Sequence, residues 1–459
     1  MDRRGFLRYT ALSAGAMAVG GWALGAACEG FPTLPEPAVR APLRFGRPMA
    51  GRGELVASSG AGIALGDGRV APAWGYNDEV PGPTIRVRRG ELVDIRFRNE
   101  LEQETTVHWH GMVVPSEMDG HPARPVAPGH EFAYRYEVVQ RAGTYWYHAH
   151  PHHHAGEQVF RGLAGVLIVE DEEEDALGLP TGDYELPLVL RDARVDRSGA
   201  LRYASDPTSP RGDFPVINGV PYPEHDVARA RYRLRVLNGS NARVFRLALS
   251  NGAPMTVIGN DGGLLEVPES VSRVELGPAE RVDLLVDFRQ YAPGERIALQ
   301  CLRSGWDLLE FVVVDGEPVD QPPIPTRLSM IEPLSPTQVR AERTFVFEGH
   351  SRINGKRFDP ERIDFRVPLG QVERWTFRAE GSAPHPIHVH GTHFQVVSRS
   401  GGRGRVFPWE RGWKDTVLLL DGEVVDVLVR FGDYRGLYLI HCHRLEHEDG
   451  GMMLNFEVV

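Results

Sequence analysis

Eight of the 18 histidines in this chain fall in four His-x-His pairs: HWHG (His108, His110), HAH (His148, His150), HVHG (His388, His390) and HCH (His441, His443). In a β-strand, residues i and i+2 point to the same face about 6.5 Å apart, so each pair sets two imidazoles side by side. Neutral imidazole is a preferred ligand of copper, zinc and iron. Four such pairs, divided between the first and last thirds of the chain, predict a shared metal cluster rather than core or surface histidines. The last pair encloses Cys442, in HCHRLEHEDGGMM (residues 441 to 453). If His441 and His443 face the cluster, strand alternation turns Cys442 to the other face, where its thiolate can bind a separate metal. Its candidate partners are His447, Met452 and His385 from HPIHVH. Together they make two imidazoles, one thiolate and a weak thioether, the donor set of a blue-copper site. Cys442 would then be covalently continuous with two cluster histidines, which makes it an electron path.

Such pairs need strands to hold them. Proline and glycine punctuation separates short runs of alternating apolar and polar residues, as in PGPTIRVRRGELVDIRFRNEL (81 to 101), RYRLRVLNGS (231 to 240) and QVERWTFRAEG (371 to 381). These predict sandwich-type strands. GTYWYHAH (143 to 150) and GLYLIHCH (436 to 443) each place an HxH five residues after a glycine and follow a charged alternating strand; GERIALQC (294 to 301) repeats the pattern without histidine. Three copies of one β-sandwich are expected, with metal chemistry in the first and third. Cys301 lies one residue out of register with Cys442 and reads as a small buried apolar residue.

With HWHG, WYHAH, HPIHVHG and HCHRLEHEDGGMM in this order, the chain resembles the three-domain multicopper oxidases, the family of laccases and bacterial copper-efflux oxidases. The resemblance implies an all-β protein of three consecutive cupredoxin-like Greek-key β-sandwich domains, placed at 41–172, 180–320 (without copper ligands) and 335–459. It implies four copper ions. His385, Cys442, His447 and Met452 would hold the type 1 copper, and His108 and His388 the type 2 copper. His110, His148 and His390, with His150, His441 and His443, would hold the type 3 pair. Asp119 in SEMDGHP and Glu448 match acidic positions that the family uses to deliver protons, alongside Cys442 as the electron path. PGPTIRVRRGE and GWKDTVLLLDGE fit the family as scaffold segments.

The activity implied is laccase-like: one-electron oxidation of phenols or aromatic amines, coupled to reduction of O₂ to water. The alternative on the same machinery is a cuprous oxidase serving copper tolerance, with Cu(I) as donor; a scaffold without coppers is the non-enzymatic alternative. A methionine at 452 implies a type 1 copper that oxidises less forcefully, which favours easy donors. Copper-efflux relatives carry a methionine-rich insertion, whereas the nine methionines here form no cluster apart from Met452 and Met453. The short segment from Met330 to His350 leaves no room for a lid. His385 or His447 is therefore expected near the surface, at the floor of an open depression. His152, His153 and His154 read as a polar loop, an accessory histidine group or a copper-entry site, and His350 carries no spacing argument.

At 459 residues, 42% hydrophobic and 25% charged, the chain has an ordinary soluble composition. Its formal charge of -11 argues against nucleic acid and anionic membranes as partners. MDRRGFLRYTALSAGAMAVGG, with paired arginines before a moderate Ala/Gly-rich run, resembles a twin-arginine signal over residues 1–30. It predicts periplasmic or extracellular export, with no membrane span in the mature chain. Cys28 stands where a lipoprotein cysteine would, with Gly25 where that signal has leucine, so a lipid anchor there stays open. A monomer is expected.

Overall fold

Residues 34–208, 211–381 and 383–459 are described by the computed structural model; the expected twin-arginine signal and Cys28 lie outside them. Six sheets form three sandwiches in sequence order among these residues. A five-stranded sheet faces a four-stranded one over Pro48–Glu170. A seven- and a five-stranded sheet span Glu185–Val313, and two five-stranded sheets span Val339–Val458. Each sandwich repeats the same opening pair: Arg52–Ala64 runs parallel to Leu92–Asn99, Glu185–Ala193 to Arg231–Asn238, and Val339–Glu348 to Val372–Glu380. The alternating runs seen in the sequence become these strands because one face of each packs inward. Ile95 and Phe97, Leu234 and Val236, and Trp375 and Phe377 fill three separate cores. Cys301 is free and fully buried in the middle core, as a small apolar residue would be. Helices are short and few among the described residues; Leu445–Asp449 matters most, because it carries His447 and anchors Leu445 in the core of the first sandwich.

Strand pairing decides where the histidines go. Val107–His110 lies antiparallel to Gly143–Ala149 with His108 opposite His148. His385–Val389 lies antiparallel to Gly436–Cys442 with His388 opposite His441 and Ile387 opposite Cys442. Directly opposed residues share a face with Cβ atoms about 5 Å apart, so two HxH pairs become a block of imidazoles in each sheet. On the third-sandwich strands, His388 and His441 take one face while His385 and Cys442 take the other.

The first two sandwiches are joined by buried charge. Arg233 pairs with Glu174 at 2.8 Å and Asp283 at 2.6 Å, Arg235 pairs with Glu174 at 2.7 Å, and the Thr144 hydroxyl donates to Asp283 at 2.8 Å. Burial alone would raise the Glu174 pKa, but Arg235 and Arg233 outweigh it and hold it at about 2, against an ordinary 4.5. A depressed folded pKa contributes stability that is present above the unfolded value and lost as pH falls through the folded one. The network should therefore contribute about 3 kcal/mol at neutral pH that disappears between roughly pH 4.5 and pH 2. Denaturant titrations across that window should show a shallower loss for Glu174→Gln than for the wild type; identical slopes would remove Glu174 as the titrating group.

Candidate metal centre

The four HxH strands meet between the first and third sandwiches. His108 Nε2 lies 3.3 Å from His388 Nε2, His390 Nε2 3.0 Å from His441 Nε2, His150 Nε2 3.5 Å from His441 Nε2, and His443 Nε2 3.3 Å from His148 Nε2. All eight rings are buried. Burial, the largest cause in each case, lowers the pKa of His108, His150 and His441 to about 3 and pushes His110, His148, His388, His390 and His443 well below the ordinary value. Each ring is thus neutral at pH 7 and carries one N–H.

Acceptors fix where that N–H sits. Nδ1 donates to the Asp119 carbonyl from His108 (2.7 Å), to the Asp415 carbonyl from His388 (2.9 Å) and to the Asp119 carboxylate from His390 (2.7 Å). The Nε2 lone pairs of these rings are left facing other imidazoles. Lone pairs opposed at 3.0–3.5 Å repel unless a cation lies between them. His110 is turned the other way: its Nε2 donates to Asp415 Oδ1 and Thr416 Oγ1, both at 3.1 Å, and its buried Nδ1 has no partner, which leaves Nδ1 as the free metal donor. The donor set fits copper, a metal that imidazole suits.

On the other face of the strand, Cys442 Sγ lies 3.4 Å from His385 Nδ1 and 3.7 Å from His447 Nδ1. The backbone N–H of Arg444 reaches the sulfur at 3.5 Å. Met452 is fully buried beside them, its N–H donating to the His447 carbonyl at 2.9 Å and its carbonyl accepting from Cys442 at 3.1 Å. Burial raises the Cys442 thiol to about 12, so the sulfur becomes a thiolate only when a cation replaces its proton.

Both carboxylates singled out in the sequence touch the cluster. Asp119 is fully buried against His390, and burial raises its pKa well above the ordinary value. Glu448 lies 3.4 Å from His150 Nδ1 and 3.2 Å from His441 Nδ1, and burial raises it to about 7. The expected open imidazole edge is not what forms. His385 and His447 are both fully buried, and His447 Nε2 is covered by His350 Nδ1 at 3.0 Å, because the turn after Val339–Glu348 folds over it. In the triplet behind the HAH pair, His153 Nδ1 reaches the Asp449 carbonyl at 3.0 Å.

Asp415 and Arg281 are two further contributors. Asp415 comes from GWKDTVLLLDGE, and its fully buried carboxylate is paired to Arg281, a fully buried residue of the middle sandwich, which has no HxH pair. Gly111 of HWHG explains its own presence here: φ is +83°, and a Cβ would lie 2.5 Å from Asp415 Oδ2 and 2.8 Å from Arg281 Nη2.

Buried imidazole clusters and a cysteine site on cupredoxin-like sandwiches define a copper-binding, all-β class of protein. Family models described as multicopper oxidase match residues 61–174, 200–296 and 325–459. The "Multicopper oxidase mco" of Staphylococcus epidermidis is 34% identical over 392 residues, covering 84% of this chain and 83% of its own. The "Cell division protein FtsP" of Escherichia coli is 35% identical over 387 residues, covering 80% of each chain. The crystal structure of a laccase from Pediococcus acidilactici superposes with a TM-score of 0.85 at 35% identity, over 92% of this chain and 94% of that one. The chain belongs to the multicopper oxidase family, and is a copper-dependent oxidoreductase that uses O₂ and a reductant. No helix among the described residues is long and apolar enough to cross a membrane.

Proposed function

We propose that this protein is a laccase-like oxidase that takes electrons singly from phenols or aromatic amines at the Cys442 site and delivers them to O₂ at the histidine cluster. The single observation carrying the reading is the covalent continuity of Cys442, beside His385 and His447, with His441 and His443, whose rings face His148, His150 and His390. Four coppers are assigned as the resemblance implies: type 1 at His385, Cys442, His447 and Met452, type 2 at His108 and His388, and the type 3 pair at the other six histidines. Copper bound there supplies the one-electron redox chemistry and the O₂-reducing centre that side chains lack. The chain itself supplies orientation, an electron path and protons. Cys442 links the two sites through one residue on either side. Asp119 and Glu448 hold protons on carboxyl groups that touch His390, and His150 and His441, respectively. The three sandwiches are taken as domains with the boundaries given above, and export by the twin-arginine route to the periplasm or exterior remains part of the proposal.

Phenolic donors are favoured over Cu(I) by the lack of any methionine cluster in the sequence beyond the adjacent Met452 and Met453. In addition, no convergent set of three His, Cys, Asp or Glu donors lies at the cavity over His447 among the described residues. Oxygen uptake by the copper-loaded protein tests this. A phenol such as 2,6-dimethoxyphenol should be oxidised without added copper. Strong activation by excess Cu(II), together with much faster Cu(I) oxidation, would transfer the assignment to a cuprous oxidase. For the protons, Asp119→Asn should slow O₂ reduction by about 100-fold while reduction of the blue site by donor stays fast; unchanged turnover at limiting O₂ would remove Asp119 from the relay.

A further inference from the structure

A cavity of about 680 Å³ opens beside the helix Leu445–Asp449, lined among others by His153, Glu157, Tyr203, His350 and Glu446. His447, although it contacts Cys442, is fully buried and is not among the lining residues. His350 is half-buried, lines the cavity and reaches inward to His447. The two rings are 4.9 Å apart between centroids, at 55°. Their hydrogen bond has a defined sense. With His447 Nδ1 turned to the Cys442 sulfur, the proton of that ring sits on Nε2, which donates to His350 Nδ1. His350 must then carry its own proton on Nε2. The turn that bears His350 is held close to the helix, since a Cβ on Gly450 would lie 3.1 Å from the His350 carbonyl.

We propose that His350 is the residue electron donors touch, and that it both positions His447 and completes the path from the cavity to Cys442. The proposal rests on the oxidase reading above. A phenol held against His350 loses one electron and one proton and leaves as a phenoxyl radical. The electron crosses the His350–His447 hydrogen bond towards Cys442, and the proton passes to water in the open cavity. Four such electrons and four protons convert one O₂ into two waters at the cluster. A ring in this place suits uncharged planar donors that stack or hydrogen-bond; a bare cuprous ion would need further ligands.

The copper-loaded full chain with His350→Ala, His350→Gln and His350→Phe tests it. The glutamine oxygen can still accept from His447 Nε2, whereas phenylalanine keeps a ring but no acceptor. His350→Ala should retain its coppers, shift the electron paramagnetic resonance signature and reduction potential of the blue site, and lower kcat/KM for 2,6-dimethoxyphenol by about tenfold or more. His350→Gln should restore the signature and potential towards wild type, and His350→Phe should not. Wild-type potential and signature in His350→Ala would overturn the positioning role. Unchanged or faster phenol oxidation in that variant would overturn the donor-contact role and make His350 a cover. If the wild type oxidises no phenol at all, the laccase-like reading fails, while the spectroscopic comparison still decides whether His350 positions His447.

Discussion

Cys442→Ser should abolish the strong absorption in the red and cut donor oxidation by at least about a thousandfold, roughly 4 kcal/mol in barrier. The hydroxyl that replaces the sulfur is a poor ligand for the softer metal states. The site left by the variant is two buried imidazoles and a thioether. The eight cluster histidines are untouched, because His441 and His443 project from the opposite face of the strand from Cys442, and His388 pairs with His441 rather than with the cysteine. Bound copper should therefore fall from about four per chain to about three, with the cluster retained. Copper loading of the wild type should also release a proton that the variant does not, because the Cys442 thiol, raised to about 12 by burial, is protonated before metal binds. Metal analysis, absorption spectra and oxygen uptake check these outcomes. A variant that oxidises phenols at the wild-type rate would mean that electrons reach the cluster by another route. A fully loaded wild type that is blue yet holds about one copper would sink the cluster assignment.

The same alternation explains how much of the site the sequence disclosed. HxH spacing, the lone cysteine between His441 and His443, and the repeated glycine-to-HxH interval are local patterns, and the period of a strand translates each directly into a face. The register of the paired strands then had little freedom, and it brings His108 opposite His148 and His388 opposite His441. Asp415, Arg281 and His350 were invisible for the opposite reason. Arg281 acts on Asp415 across 134 residues, and His350 acts on His447 across 97. None of the three sits in a spacing that separates a partner of the cluster from an ordinary polar strand or turn residue. GWKDTVLLLDGE thus read as scaffold, and the middle sandwich, without a histidine pair, gave no sign that it reaches the cluster. The buried position of His447 was hidden in the same way: a short segment without a methionine cluster excludes a large lid, but not one turn bearing one histidine.

That hidden partnership sets the second large effect. Asp415→Ala should destabilise the protein by about 3 kcal/mol, because it takes from the fully buried Arg281 guanidinium the nearer of its two carboxylate partners. Arg281 would keep the Asp261 carboxylate, whose Oδ1 lies 3.6 Å from Nη1 and whose other oxygen is engaged by Lys414 at 2.8 Å, and contacts to the uncharged carbonyls of Thr144, Ala279 and Asp261. The same substitution removes the charged one of the two acceptors that hold the His110 proton on Nε2 and leaves only the Thr416 hydroxyl, so Nδ1 is less firmly reserved for metal, and cluster affinity for copper should fall about 10- to 100-fold. The two consequences separate in a double variant. Arg281→Met with Asp415→Leu replaces the buried pair by apolar side chains, an exchange that is often neutral or stabilising. It should recover most of the lost stability while leaving copper affinity weak, since His110 still lacks its charged acceptor. Denaturant unfolding of the copper-free protein measures the first quantity and competition with a copper chelator the second. Wild-type stability in Asp415→Ala would show that the pair contributes little. Full recovery of copper affinity in the double variant would show that Asp415 acts on the cluster only by balancing Arg281, not by orienting His110.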